Sequence, residues 1–279
     1  MNIPFFKMHG AANDFVLVDD REETFPVSDR AWIAQLCERR RGVGAEGVIL
    51  IQRSASAHFR MRFFNPDGGE VEMCGNGARC VARLAFELGI APAAMRIETI
   101  AGELEAEVLD HGQQVRLRMT PPTNWAIRQH LAVEGRWVEY QFVNTGVPHV
   151  VIEVSDLEKA DVAGLGRAIR YHERFQPAGT NVNFVTVRDG SSLRVRTYER
   201  GVEAETLACG TGIVASALCM ARVGRITLPA AVVPASGDTL TVAANWHADG
   251  SASDVMLTGP AVRVFEGAVQ YPGSARDPH

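Results

Sequence analysis

Apolar and polar residues alternate along two matching stretches of the chain. Phe59-Arg-Met-Arg-Phe-Phe-Asn65 and Leu193-Arg-Val-Arg-Thr-Tyr-Glu199 both carry the two-residue period of a half-buried strand. Two other stretches follow the helical period. Residues 77–88 place Val81, Leu84, Ala85 and Leu88 on one face, and Gly89 supplies a C-terminal stop. Residues 212–223 are apolar nearly all round, through Ile213, Val214, Ala215, Ala217, Leu218 and Met220, and Gly224 stops them in the same way. A helix apolar on every side needs cover on every side, so it predicts burial within a sheet.

These elements recur at one spacing. Cys74-Gly-Asn-Gly-Ala-Arg and Cys209-Gly-Thr-Gly-Ile-Val stand 135 positions apart, and Gly75/Gly210, Gly77/Gly212, Ala82/Ala217 and Gly89/Gly224 match at that offset. The alternating strands match at 134, Gly44 to Leu50 aligns with Gly179 to Val185 at 135, and Gly10 to Val16 aligns with Gly146 to Ile152 at 136. Glycine and valine match by chance, but four matches in one order imply an internal repeat. The fold class is therefore α/β (α+β): two pseudo-symmetric halves, each a curved mixed sheet around a central helix. The expected division is residues 1–120, joined by the C-terminal segment 265–279, and residues 121–264. Pro121 and Pro122 form the junction, the last six residues, Ser274 to His279, fray, and a ligand cleft lies between the halves.

Composition narrows the chemistry. The chain has 279 residues, is 46% hydrophobic and carries a formal charge of −5, which gives no basic footprint for nucleic acid. Apolar runs are too short to span a bilayer, and Met1 to Gly10 lacks the pattern of a signal peptide. Five cysteines, an odd number, predict reduced thiols in a cytoplasmic protein. None has C-x-x-C spacing, so no metal is expected. Cys37, Cys80 and Cys219 sit among apolar neighbours and read as small buried hydrophobes.

Cys74 and Cys209 differ, because each precedes a glycine-rich turn that opens a helix. Helix N-termini present unbonded N–H groups and the positive end of the macrodipole. Such a turn favours a thiolate and cradles an anion such as a carboxylate. Either turn alone reads equally well as a helix start with a buried thiol; the duplication favours shared chemistry. Two such turns facing each other across a cleft would place one sulfur on each side of an amino acid's α-carbon. One thiolate then removes the α-proton, and the opposite thiol returns a proton to the other face. The backbone cradles would stabilise the developing carbanion. A pyridoxal phosphate racemase needs a Schiff-base lysine. Lys7 and Lys159 are the two lysines, and neither has a convincing cofactor setting, so no cofactor is expected.

At this point the chain closely resembles the diaminopimelate epimerase family. The resemblance covers nearly its whole length. It rests on Lys7-Met-His-Gly-Ala-Ala-Asn-Asp-Phe15, Phe64-Asn-Pro-Asp-Gly68, Glu70 through Cys80, Thr180-Asn-Val-Asn-Phe184, and Tyr198-Glu-Arg-Gly201 followed by Glu205 to Gly212. The resemblance implies cofactor-free interconversion of LL- and meso-diaminopimelate, for lysine and peptidoglycan synthesis, by a cytoplasmic homodimer. It makes Cys209 the proton acceptor and Cys74 the donor in the LL-to-meso direction. It assigns Asn13, Asn65 and Asn181 to substrate, Gly75-Asn76 and Gly210-Thr211 to the backbone cradles, Glu199 and Arg200 to substrate contact, and His149 and Glu199 to tuning of the thiols. Arg200 suits a distal carboxylate, which it can grip with two parallel N–H bonds. The chain departs from the common family pattern at Val147, at Glu46-Gly47 and at Ala12, where a positive φ would be less comfortable than for glycine.

Other readings compete. A proline racemase or hydroxyproline epimerase shares the two-cysteine logic but needs no second charged clamp. An amino-acid-binding module would need neither thiol. A redox sensor would pair Cys74 with Cys80, which the spacing does not by itself bring within bonding distance.

Overall fold

The computed structural model describes residues 1–273; residues 274–279, for which the sequence predicts fraying, lie outside the described residues. The chain forms two units. One contains Met1–Leu117 and the returning segment from Pro260; the other is Arg118–Gly259. The seams fall just ahead of Pro121-Pro122 and of residue 265.

In chain order, the first unit contains β1 (Asn2–Gly10), β2 (Asn13–Asp19), α1 (Arg30–Cys37), β3 (Val48–Gln52), β4 (Phe59–Phe64), β5 (Glu70–Val71), α2 (Gly75–Glu87), β6 (Ala94–Thr99), β7 (Gly102–Leu109) and β8 (Gln114–Arg118). The second contains β9 (Thr123–Val133), β10 (Arg136–Asn144), β11 (Pro148–Glu153), α3 (Gly164–Arg170), β12 (Asn181–Asp189), β13 (Ser192–Glu199), β14 (Ala204–Thr206), α4 (Gly210–Arg222), β15 (Ala230–Val233), β16 (Leu240–Trp246) and β17 (Ala252–Pro260). The closing strand β18 (Val262–Gln270) belongs to the first unit.

The strands of the first unit run β18-β1-β2-β3-β4-β6-β7-β8. Those of the second run β9-β10-β11-β12-β13-β15-β16-β17. Short β5 and β14 lie beside β4 and β13. Parallel pairs occur at matching places, β2/β3 and β4/β6 against β11/β12 and β13/β15. The sequence repeat is thus a repeat of topology, with β18 standing where β9 stands in the second unit.

Central strands are covered on both faces, which explains their continuous apolar runs. In β3, Val48 and Leu50 join Trp32 and Ile33 of α1 in one core layer, while Ile49 faces α2. In β12, Val182 and Phe184 join Ile169 of α3, while Asn183 faces α4.

Helices α2 and α4 each span 13 residues and start two positions before the predicted 77 and 212. Cys74 and Cys209 are themselves the N-caps, in extended conformation, so helical dihedrals begin at the first glycine. Gly89 (φ 66°) and Gly224 (φ 78°) follow the C-caps in the left-handed region, as the sequence predicts. Helix α4 is buried from Gly212 through Met220, with β10 to β13, β15 and β16 packed around it. Helix α2 packs on β1, β2, β3 and β7, and buries Arg79 among its apolar residues.

Candidate active site

The first cysteine turn is framed by two hairpins. In one, Arg62 of β4 holds Glu70 of β5 by two bonds of 2.7 Å. The connecting turn closes when the Asn65 N–H donates to the Gly69 carbonyl at 2.8 Å and Gly68 N–H to the Asn65 carbonyl at 2.9 Å. Three residues after β5 comes Cys74, half-buried, whose carbonyl accepts from Ala78 N–H at 2.8 Å. An added Cβ on Gly75 would meet nothing within 4 Å, so its backbone is open to an approaching anion. At Gly77 a Cβ would lie 2.6 Å from Ile49 Cδ1, so glycine there lets α2 sit close on β3.

The other hairpin joins β1 to β2 through Ala11 (φ 55°) and Ala12 (φ 61°). Two left-handed alanines cost on the order of 1 kcal/mol each, and Ala12 is the position where the sequence marks discomfort. His9 Nδ1 supports the turn by accepting from Ala12 N–H at 3.3 Å. Gly10 lies so close to the Asn76 carbonyl that a Cβ would come within 2.8 Å of it, which seats the hairpin tip on the first turn of α2. Asn13 follows, with a buried Oδ1 that has no hydrogen-bond partner among the described residues. It is an acceptor suited to an ammonium group.

In the second unit the candidates converge through direct bonds. His149 of β11 and Asn181 of β12 are register partners. Asn181 Oδ1 accepts from the Arg200 N–H at 2.8 Å, and its Nδ2 donates to the Pro148 carbonyl at 3.2 Å. Arg200 Nη1 donates to the Ala178 carbonyl at 2.8 Å. Thr206, three residues before Cys209, donates to Glu199 Oε2 at 2.7 Å. Cys209 is buried, with its Sγ 3.6 Å from Thr211 Oγ1, and the Thr211 carbonyl accepts from Thr145 Oγ1 at 3.0 Å. An added Cβ on Gly212 would overlap Asn183 Oδ1.

Burial sets the charge states. His149 is fully enclosed, and desolvation, reinforced by the charge of Arg200, pushes its pKa down to about 3. It is therefore a neutral imidazole at neutral pH. Burial raises the Glu199 carboxyl above its ordinary range, against the bond from Thr206. Burial also pushes Cys37 up to about 11 and Cys80 up to about 12, and raises Cys219. Those three thiols are inert hydrophobes, as the sequence predicts.

Both lysines have structural partners. Buried Lys7 binds Asp14 at 2.6 Å and the Gly44 carbonyl, and exposed Lys159 pairs with Asp156 at 2.9 Å. Among the described residues no cluster of His, Cys, Asp and Glu is suited to a metal, and no helix is long and apolar enough to cross a membrane.

Sequence reasoning missed three residues. Asn183 bonds His149 Nδ1 at 3.1 Å and the Val150 carbonyl at 2.9 Å, and accepts from Thr197 at 2.9 Å. Its signal was the polar alternation of Asn181 and Asn183 in an apolar strand. Thr206 gave no local signal. Arg79 reads as a surface residue in sequence, yet it is entirely buried.

Comparison with known proteins agrees with this picture. The diaminopimelate epimerase family model matches residues 5–125 and 141–264. The diaminopimelate epimerase of Aquifex aeolicus (strain VF5) is 45% identical over 273 residues, covering 94% of this chain and 96% of that one. Two solved structures share the fold at 17% identity. One is a phenazine biosynthesis protein of the PhzF family from Bacillus anthracis, with TM-score 0.74, covering 97% of this chain and 100% of that one. The other is a hydroxyproline epimerase from Agrobacterium vitis, with TM-score 0.69, covering 96% and 92%.

Proposed function

Since the chain belongs to the diaminopimelate epimerase family, we propose that its two cysteine turns perform a two-base, cofactor-free epimerisation of LL- to meso-diaminopimelate. The observation that carries this reading is the duplicated N-cap. Cys74 and Cys209 occupy the same position before two helices of 13 residues, in units of the same strand order. In the proposed reaction, one sulfur stands on each face of the substrate's α-carbon. Cys209 thiolate takes the α-proton: the Cα–H bond breaks, an S–H bond forms and the electron pair stays on carbon. The Cys74 thiol then gives its proton to the opposite face and is left as the thiolate.

The first-turn N–H groups of Gly75-Asn76 and Gly210-Thr211 hold the reacting carboxylate and stabilise the charge spreading into it. For the distal end, Arg200 suits the carboxylate, while Asn13, Asn65, Asn181 and Glu199 suit the ammonium group and its flanks. In this reading Asn181 acts partly through Arg200, whose backbone N–H it holds. His149, neutral at neutral pH, and Glu199, whose carboxyl is raised by burial, tune the thiols in this reading. The second, charged clamp favours the doubly zwitterionic substrate over proline.

The test is proton exchange in heavy water without added cofactor. Diaminopimelate is expected to gain one deuterium at its reacting α-carbon, and Cys74→Ala and Cys209→Ala each to abolish epimerisation. Normal turnover by either variant would end the two-base scheme, and exchange with proline but not diaminopimelate would move the assignment to the rival class. The same reading makes the protein a cytoplasmic homodimer. Exposed Val264 and Phe265 on β18 support cover by a second copy. Sedimentation should show a dimer that Phe265→Arg weakens; a monomeric parent protein would refute this part.

A further inference from the structure

Three neighbouring strands of each unit bury a trio of side chains beneath the cysteine helix. In the first unit the trio is apolar. Ile49 of β3 is the register partner of Phe63 on β4 and of Leu17 on β2, and Phe15 stands two positions before Leu17. In the second unit the same places are polar. Asn183 of β12 is the register partner of Thr197 on β13 and of Val151 on β11, and His149 stands two positions before Val151. All six residues are buried. Phe15 and Phe63 meet edge to face at 5.8 Å, so the fold accepts hydrocarbon here. An imidazole, an amide and a hydroxyl in its place must be matched by bonds to one another, and their presence in one copy alone points to a chemical use.

The polar trio borders the second cysteine. A Cβ on Gly212 would overlap Asn183 Oδ1 and come within 3.3 Å of Cys209 Sγ, so amide and sulfur flank the same small volume.

The bonds of Asn183 fix where the His149 proton sits. A carbonyl oxygen only accepts, so the Asn183 atom 2.9 Å from the Val150 carbonyl is the amide nitrogen. The same nitrogen lies 3.1 Å from His149 Nδ1. It donates one hydrogen to each neighbour and has no lone pair to offer. Nδ1 is therefore an acceptor, and a neutral ring carries its proton on Nε2. The amide oxygen accepts from Thr197 Oγ1 at 2.9 Å, which completes the bonding of the group. A doubly protonated ring would set N–H against N–H, and burial likewise pushes the His149 pKa down to about 3. Nε2 is enclosed and has no hydrogen-bond partner among the described residues. A buried donor left open costs stability.

We propose that Asn183 is a positioning residue that locks His149 in its Nε2–H form, so that the ring enters turnover as a hydrogen-bond donor and not as a base. This rests on the two-thiol reading above, in which His149 tunes the thiols. A histidine in water exchanges between its two neutral forms, and its surroundings choose between them. With Nδ1 occupied by the amide and Nε2 already protonated, His149 has no lone pair free to take a proton. Proton transfer is left to the sulfurs, and the Nε2–H dipole favours negative charge near it.

The test is NMR of the full-length protein, isotopically labelled at the nitrogens of histidine and asparagine, at neutral pH without substrate. The His149 signals are identified by their loss in His149→Gln. Nδ1 is expected to have the shift of an unprotonated ring nitrogen and Nε2 that of a protonated one, with a scalar coupling across the bond from Asn183 Nδ2 to Nδ1. A proton on Nδ1 in the unaltered protein, or no such coupling, would overturn the proposal whether or not any variant folds. Asn183→Ala should give the averaged shifts of two exchanging tautomers, and lower kcat at least about tenfold with KM within about twofold. Thr197→Val removes another buried bond but leaves the Val150 carbonyl to orient the amide, so it should keep the Nε2–H form and hold kcat within about twofold. A folded Asn183→Ala protein that keeps a pure Nε2–H ring, or that loses it with kcat unchanged, would also overturn the proposal, as would equal losses of kcat in both variants. The tautomer is read without substrate, so its result is independent of the deuterium exchange that tests the epimerase reading.

Discussion

The two cysteine turns share a backbone plan and differ in what lies behind them. Behind Cys74, Gly77 rests on Ile49, and the buried charge of Arg79 holds Asn76. Behind Cys209, Gly212 rests on Asn183, which ties His149, Val150 and Thr197 together, and Val214 replaces the arginine. Duplication has preserved the N-cap and the glycine that lets each helix approach its strand. The side chains beneath have diverged into an apolar floor with a fixed cation and a neutral hydrogen-bonded floor. A symmetric fold can thus carry an asymmetric reaction.

The largest test of this contrast is the glycine pair. Gly212→Ala forces a methyl group against Asn183 Oδ1, on an amide side chain that three hydrogen bonds hold in place. Gly77→Ala meets the flexible end of Ile49 at 2.6 Å. Activity assays should show a loss of about 100-fold or more for Gly212→Ala, and a clearly smaller one for Gly77→Ala; similar losses would mean that the two floors are equally yielding. Next in size, Asn183→Leu leaves buried partners unsatisfied and should cost about 2–4 kcal/mol in denaturant unfolding. A cost below about 0.5 kcal/mol would show that the network holds nothing.

A pH test separates the floors further. The folded-state pKa of His149 lies near 3, below the 6.5 of an unfolded histidine. As pH falls through 6.5, the unfolded chain takes up a proton that the folded protein refuses, so stability drops toward pH 3 by up to about 1.4 kcal/mol per unit. His149→Gln should flatten thermal denaturation across that window, and parallel pH profiles for the two proteins would refute the assignment. The smallest effect concerns the hairpin tips, where Ala12 (φ 61°) stands in the first unit and Gly146 (φ 106°) in the second. Ala12→Gly should raise stability by about 1 kcal/mol by removing left-handed strain. A loss of stability in calorimetry would show that the turn is not strained.

Much of this was legible in the sequence because it is local. Periodicity located β4, β13, α2 and α4, and the glycines located their ends. The repeat announced two like units, and the motifs named the candidate site residues. The helix starts were misjudged by two positions, because glycine reads as a turn former even when it takes the first helical position after an N-cap. Arg79 escaped notice because its burial depends on Gly10 and Pro260, remote in sequence. Asn183 was passed over because its partners lie on two other strands, β11 and β13. The C-terminal segment was expected to join the first half, and the last strand, β18, pairs with β1.

That last strand has a consequence for synthesis. Arg118–Gly259 is contiguous, so its sheet can close while the ribosome is still at work. The amino-terminal sheet, although translated earlier, must wait with β1 lacking its β18 neighbour until the codons for β18 are read. A message cut short before Pro260 would yield a finished second half joined to an incomplete first one. Completion of the first sheet is thereby tied to the synthesis of β18.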